Sequence, residues 1–169
     1  GKYIIKHLIK MSSKYSSDVF VNANRNIDVY RKLKCNVIKD VLNDYQGPLA
    51  GIYSGLLQIK TDYIITLPCD GPLISDEYFT RMLESTLTDK IKCAYCNDRL
   101  QPVYALIPKK LAASLKEFLD SGERKIDKWY KQCGLEVVDF SDKPEIFINV
   151  NSEEELLQYA NEIRKRLIG

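Results

Sequence analysis

Apolar and polar positions switch between two periods along the chain, and the switches mark out the elements. From Tyr3 to Ser12, Ile4, Ile5, Leu8, Ile9 and Met11 recur at helical spacing, which predicts an amphipathic helix. Asp18-Val-Phe-Val21 is short and β-rich, and it runs into Asn22-Ala-Asn-Arg25, four residues able to hydrogen bond at a strand's carboxyl end. Between Asn26 and Lys34, Ile27, Tyr30 and Leu33 make one helical face, and Asn36-Val-Ile-Lys39 is a second short strand closed by Asp40. Tyr45-Gln-Gly-Pro-Leu-Ala-Gly51 precedes a helix over Ile52 to Ile59. The run Tyr63 to Leu67 has no helical period, and its β-branched and aromatic content predicts a strand buried on both faces of a parallel sheet.

The same alternation continues. A helix is expected from about Asp76 to Thr86, then β-rich runs at Ile91 to Tyr95 and Gln101 to Ile107 around an Asn97-Asp98 turn, a hairpin with at least one antiparallel strand. Leu111 to Leu119 is amphipathic and stops at Ser121-Gly122, and a further helix over Ile126 to Cys133 stops at Gly134. Glu136 to Phe140 and Ile146 to Asn151 read as the last strands, and Ser152 with Glu153, Glu154 and Glu155 opens a terminal helix. Repeated strand, polar end and helix units predict a doubly wound α/β sheet, in one domain over residues 1–169.

Composition narrows the partners. At 169 residues with 45% hydrophobic and 28% charged positions, the chain is long enough to bury a core. A net charge of +2 with scattered Lys and Arg argues against nucleic acid. No apolar run approaches membrane-spanning length and no signal-peptide cleavage pattern is seen, so a cytoplasmic protein without a membrane partner is expected. Five cysteines are too few and odd in number for a secreted disulfide framework. Cys93-Ala-Tyr-Cys96 has the spacing of half a zinc site but lacks a second ligand pair, so both are expected as thiols without metal. The lone His7 on an amphipathic segment reads as a helix residue.

Candidate chemistry centres on Leu67-Pro-Cys-Asp70-Gly-Pro72. Pro68 cannot donate to a ladder and Gly71-Pro72 forces a turn, which leaves Asp70 at the carboxyl end of its strand. Open α/β sheets bind ligands along that edge. A carboxylate there suits Mg²⁺, an ion held by one or two carboxylates while phosphates supply further oxygens. The competing role is a helix cap, for which Ser75 ahead of Asp76 and Glu77 is the better candidate. Gly47-Pro48 and Gly51 at a helix start permit close approach of an anion.

Taken together, V-N-A-N-R from Val21, V-I-K-D ending at Asp40, Y-Q-G-P-L-A-G ending at Gly51, L-P-C-D-G-P from Leu67, Q-P-V-Y-A-L from Gln101, S-G-E-R-K from Ser121, V-D-F-S-D from Val138 and I-N-V-N-S-E-E-E-L from Ile148 resemble the molybdenum cofactor guanylyltransferase family in order and spacing. The resemblance implies a Rossmann-like, mostly parallel sheet with helices on both faces, of the nucleotide-diphospho-sugar transferase type. It implies transfer of GMP from GTP to the molybdopterin cofactor, with Mg²⁺ and release of pyrophosphate, and contact with other cofactor-biosynthesis proteins. Asn22 and Asp40 match family positions that contact the guanosine nucleotide, and Asp70 matches the magnesium and nucleotide position. Asn149 and Asn151 resemble the asparagines beside the pterin and phosphate site, and Gln101, Arg124 and Lys125 fall in motifs on the presumed pterin side. Family members begin with a strand and a glycine-rich phosphate loop that the sequence as given does not contain, so a first strand and loop are expected ahead of Gly1. Two other activities suit the same fold: nucleotidyl transfer to a sugar or polyol phosphate, and nucleotide binding without turnover.

Overall fold

The computed structural model describes residues 2–33, 35–42, 47–84 and 88–162. In chain order the elements are α1 (Lys2–Ser12), β1 (Phe20–Asn22), α2 (Ile27–Arg31), β2 (Asn36–Ile38), α3 (Pro48–Gln58), β3 (Tyr63–Thr66), α4 (Asp76–Leu83), β4 (Ile91–Cys96), β5 (Arg99–Pro108), α5 (Ala112–Asp120), α6 (Ile126–Cys133), β6 (Leu135–Asp139) and α7 (Glu153–Gln158). Single 3₁₀ turns cover Lys109–Leu111 and Pro144–Phe147. None of the described helices is long and apolar enough to cross a membrane.

β3, β5, β4 and β6 form one sheet in that order, and β1 pairs with β2 in a second, parallel pair. β5 is antiparallel to both neighbours, whereas β4 and β6 are parallel. The hairpin between β4 and β5 turns on Asn97 and Asp98, at φ 53° and 57°. Two left-handed residues are what a tight hairpin turn demands, and short polar side chains tolerate them best. Pro102 sits inside β5 without breaking it because the register shifts there: Cys93 faces Ala105 while Ala94 faces Gln101. A bulge accommodates the missing N–H.

Helices cover both faces of the larger sheet. Along β5, Ala105 and Ile107 pack with α3, α5 and α6, whereas Tyr104 and Leu106 pack with α1 and α4. Trp129 and Tyr130 of α6 and Tyr78 and Phe79 of α4 are fully buried. Truncating any one of these to Ala would cost about 3–5 kcal/mol. β4 shows the same alternation, so Cys93 and Cys96 point into opposite cores and cannot share one metal ion.

The run Ile146 to Asn151 is not a strand. Pro144 opens a 3₁₀ turn, and Ile146 and Phe147 are buried because Phe147 meets the rings of Tyr104 and Phe140 edge-on. A short apolar run has no period that separates these outcomes. α3 begins at Pro48, ahead of the expected Ile52, since a proline in the first helical turn forfeits no hydrogen bond. The expected Tyr45 and Gln46 lie outside the described residues. β3 is only half-buried along its length instead of buried on both faces. Its far edge explains this: no ladder among the described residues joins β3 to β1, and a cavity of about 620 Å³ separates them, lined by Val21 of β1, Ile64 and Thr66 of β3, Leu8 of α1 and Gly55 of α3.

One charged knot closes the sheet's other side. Arg81 of α4 donates to both Asp142 oxygens at 2.7 Å and to the Asp139 carbonyl at 3.0 Å, pairs with Glu77, and lies 5.1 Å from the centre of the Phe140 ring. The guanidinium holds the Asp142 carboxyl down at about 2, below its ordinary 3.8. Such a group favours the folded state fully above the ordinary value and stops doing so as pH falls through its folded value. Urea unfolding across acid pH is therefore expected to show stability falling more steeply between about 3.8 and about 2 in the parent than in Asp142→Asn. Parallel pH curves would contradict that role for Asp142.

Candidate active site

Two carboxylates, each following a strand, stand next to residues that line the cavity between β1 and β3: Asp40 is bonded to Asn22, and Asp70 follows Cys69. The cavity reaches Asn22 and Gly51 on one wall and Leu67, Pro68 and Cys69 on the other.

Asp40 follows β2. The ladder between β1 and β2 continues past the strands, with Ala23 N–H donating to the Ile38 carbonyl at 2.9 Å, and this sets the 22–24 segment opposite residues 38–40. Asn22 Nδ2 then donates to Asp40 Oδ1 at 2.8 Å and Asn24 Nδ2 to Asp40 Oδ2 at 2.8 Å, while Asn24 Oδ1 accepts the Asp40 backbone N–H at 2.9 Å. Behind them, the buried Ser54 of α3 accepts from Val41 N–H at 3.0 Å and donates to Ala50 at 2.8 Å. Gly51 is required here, because a Cβ would stand 2.5 Å from Asn22 Oδ1. Asn24 and Ser54 had no assigned role in the sequence. An N-x-N pair closing one strand opposite an acid closing the next is the pattern that identifies Asn24.

Asp70 follows β3. Its Oδ1 is buried and has no hydrogen-bond partner, an expensive condition for a carboxylate oxygen. Its backbone carbonyl accepts from Val150 N–H at 2.8 Å, which sets Asn149 and Asn151 on either side of that contact. Asn149 and Asn151 are both exposed. The Asn151 and Ser152 N–H groups both donate to Glu155, which forms a reciprocal capping box with Ser152 at the start of α7. Ser75 occupies the N-cap of α4, so Asp70 does not cap that helix.

β5 runs antiparallel to β3 with Thr66 opposite Ala105, so Gln101 lies beyond the carboxyl end of β3, on the side of Asp70. Its Nε2 donates to the Cys96 carbonyl at 3.3 Å. Arg124 donates to the Leu119 and Glu123 carbonyls and so closes α5, and Lys125 is an exposed residue at the N-cap of α6. That helix is tied to β5 by Tyr130, whose hydroxyl donates to the Pro102 carbonyl at 2.7 Å. No hydrogen bond among the described residues joins Arg124 or Lys125 to the Asp70 loop. The Tyr104 hydroxyl fills the space above Gly71, and burial, with the Asp70 charge adding to it, pushes that phenol well above its usual value.

Asp70 fits a divalent cation in one respect: a buried oxygen lone pair with nothing to satisfy it. No group of three or more His, Cys, Asp or Glu side chains suited to a metal occurs among the described residues. A cation on Asp70 would thus draw its other oxygens from a bound phosphate and water, the usual state of Mg²⁺.

Carboxylates at the ends of β2 and β3, with amide donors beside Asp40 and helices on both faces of the larger sheet, suit a nucleotidyltransferase. The MobA-like NTP transferase domain matches residues 1–136. Molybdenum cofactor guanylyltransferases from Shewanella piezotolerans and Vibrio atlanticus are 41% and 40% identical to the chain. Each alignment takes in 95% of this chain, with 79% and 82% of the respective relative. Among solved structures, molybdopterin-guanine dinucleotide biosynthesis protein A from Archaeoglobus fulgidus superposes with a TM-score of 0.70 at 18% identity, covering 94% of this chain and 86% of that one. A 4-diphosphocytidyl-2C-methyl-D-erythritol synthase from Anaerococcus prevotii superposes with a TM-score of 0.74 at 11% identity, covering 95% and 86%. These two likenesses establish the fold. The chain belongs to the MobA-like NTP transferase family, in the branch of the molybdenum cofactor guanylyltransferases.

The Asp70 loop depends on a glycine and a tyrosine that share one volume. A Cβ on Gly71 would overlap Tyr104 Oη, and Tyr104 cannot retreat because its ring packs edge-on against Tyr78 and Phe147. Gly71→Ala is expected to cost about 1–3 kcal/mol, the usual range for overpacking. In a Tyr104→Phe background the nearest tyrosine-derived atom would be Cζ at 3.5 Å, an ordinary contact, and the cost of Gly71→Ala should largely vanish. Urea unfolding of the four proteins measures the coupling. An equal cost in both backgrounds would rule the steric account out.

Proposed function

We propose that this chain transfers GMP from GTP to the terminal phosphate of molybdopterin. The observation that carries the reading is the buried, unpartnered Asp70 Oδ1 at the end of β3, in a chain about two-fifths identical to named guanylyltransferases. In the step itself an oxygen of the pterin phosphate attacks the α-phosphorus of GTP. A new P–O bond forms as the bond from the α-phosphorus to the bridging oxygen breaks, and pyrophosphate leaves with that electron pair. The acceptor phosphate has a second pKa of about 6 and is already largely ionised, so no protein nucleophile or base is needed.

The protein's part is to bind and orient. Asp40 with Asn22 takes the guanine at the β1 side, and Asp70, beyond the end of β3, orients the triphosphate. Asn149 and Asn151, set beside the Asp70 loop through Val150, offer amide donors to the acceptor phosphate. Gln101 lies on the same side. Lys125 adds a positive charge toward the incoming anion, and Arg124 supports it by fixing the end of α5. Mg²⁺, where bound to Asp70, supplies charge neutralisation between the two phosphates.

We also infer that an extended apolar strand, followed by a glycine-rich turn for the triphosphate, fills the space between β1 and β3 in the working enzyme. Both walls are strand edges backed by apolar side chains, and each edge keeps N–H and C=O groups that such a strand would satisfy. Amides of Phe20–Asn22 and Tyr63–Thr66 on the slot side are expected to exchange with solvent quickly in the 1–169 chain. A form of the protein that carries such a strand should show them slowed. Unchanged exchange would reject the filled slot.

Asp70→Asn tests the central reading. The amide keeps the shape and loses the charge, so the fold should survive while pyrophosphate release from GTP with molybdopterin falls by about 100-fold or more. Raised Mg²⁺ should restore part of it. Near-normal turnover by a folded Asp70→Asn protein would remove Asp70 from the chemistry.

A further inference from the structure

We propose that Asn24 is a specificity-determining positioning residue, which selects guanine by fixing the orientation of the Asp40 carboxylate. The inference rests on the reading of Asp40 as the base-binding group and goes beyond it by naming what makes that group selective.

The geometry is a clasp. Asn24 spends both ends of its amide on one residue: Nδ2 donates to Asp40 Oδ2 at 2.8 Å, and Oδ1 accepts the Asp40 backbone N–H at 2.9 Å. Asn22 pins the other oxygen, Oδ1, at 2.8 Å. With each carboxylate oxygen held by a different side chain, rotation of the group would break one of two hydrogen bonds to an ionised acceptor, the stronger class of such bonds. The clasp is itself anchored. The Ala23 to Ile38 bond fixes one side, and the Val41 to Ser54 bond fixes the other. Asn26, at φ 55°, turns the chain away immediately afterward, so the segment 22–24 is short and closed at both ends.

An ionised carboxylate offers about four acceptor sites on its two oxygens. Two are spent on Asn22 and Asn24, and Asp40 remains partly exposed. What is left is one acceptor on each oxygen, both in the plane of the carboxylate. Guanine meets such a pair with two adjacent donors, the ring N1–H and the exocyclic amino group. Hypoxanthine lacks the amino group, and adenine sets a ring acceptor beside its donor. A carboxylate free to rotate would attract any of these weakly; a fixed one rewards the base with both donors. Asn24 acts through Asp40 in this scheme.

Equilibrium binding of GTP and of ITP, which differ by that amino group alone, provides the test. The parent chain is expected to prefer GTP by about tenfold, the effect of one hydrogen bond to a charged group. Asn24→Ala should reduce the preference to about twofold, mainly by weakening GTP. Asn24→Asp is the second variant: it keeps an acceptor for the Asp40 N–H, and thus the loop, while replacing the donor to Oδ2 with a repelling oxygen. It should lose the preference in the same way. If Asp40→Ala abolishes discrimination while both Asn24 variants retain it, the inference is wrong and the base reading of Asp40 stands. Equal weakening of GTP and ITP by the Asn24 variants would mean a merely structural role and would also overturn it. If the parent itself shows no preference, the base reading falls and takes the inference with it.

Discussion

The antiparallel pairing of β5 with β3 is the constraint on which the rest of the structure depends. β5 is bonded on both edges, carries alternate side chains into both cores, and overruns the carboxyl end of β3. That overrun puts Gln101 and Tyr104 beside the turn that holds Asp70. The bulge at Pro102 is what lets a strand with this much work on both faces keep its pairing with β4. Remove the pairing and the Asp70 loop loses its floor.

The acids that follow β2 and β3 are held in opposite ways. Asp40 has donors on both oxygens, which fixes its direction and leaves a defined acceptor face. Asp70 has a buried oxygen with none, and its loop is instead held by backbone, through Val150 and the Tyr104 contact. A buried unsatisfied carboxylate oxygen costs folding free energy, so its persistence suits a group whose partner arrives with the substrate. On the proposed reading, the satisfied acid takes the base and the unsatisfied one serves the chemistry.

Much of this was legible in the sequence because local chemistry and tertiary structure agree. Asn97-Asp98 required the hairpin, Gly134 ended a helix, and Ser152 with Glu155 gave a capping box that the structure contains in full. Pro68 and Gly71-Pro72 end the strand and so put Asp70 just beyond it. Failures came where a long-range contact decided the outcome. Ile146 and Phe147 are apolar for the sake of the Tyr104 and Phe140 rings, and no periodicity separates that from a strand. The role of Asn24 was hidden for a similar reason: its partner is Asp40, on the next strand, and only the β1 to β2 register brings them together. Arg124 and Lys125 looked alike as a basic pair, and both are exposed, yet the Arg124 side chain caps α5 whereas Lys125 stands at the N-cap of α6.

The order in which these contacts can form bears on how the chain folds. The β4 to β5 hairpin closes over a two-residue turn and belongs to the fast, local class of events. Docking β3 on β5 joins residues 39 positions apart, as in the Thr66 to Ala105 contact, and the Val150 to Asp70 bond spans a longer loop still. Closure entropy delays such pairings until much of the chain is already ordered. The Asp70 loop therefore completes late, so a chain whose hairpin and helical layers have formed would still lack the Val150 tie that holds this loop.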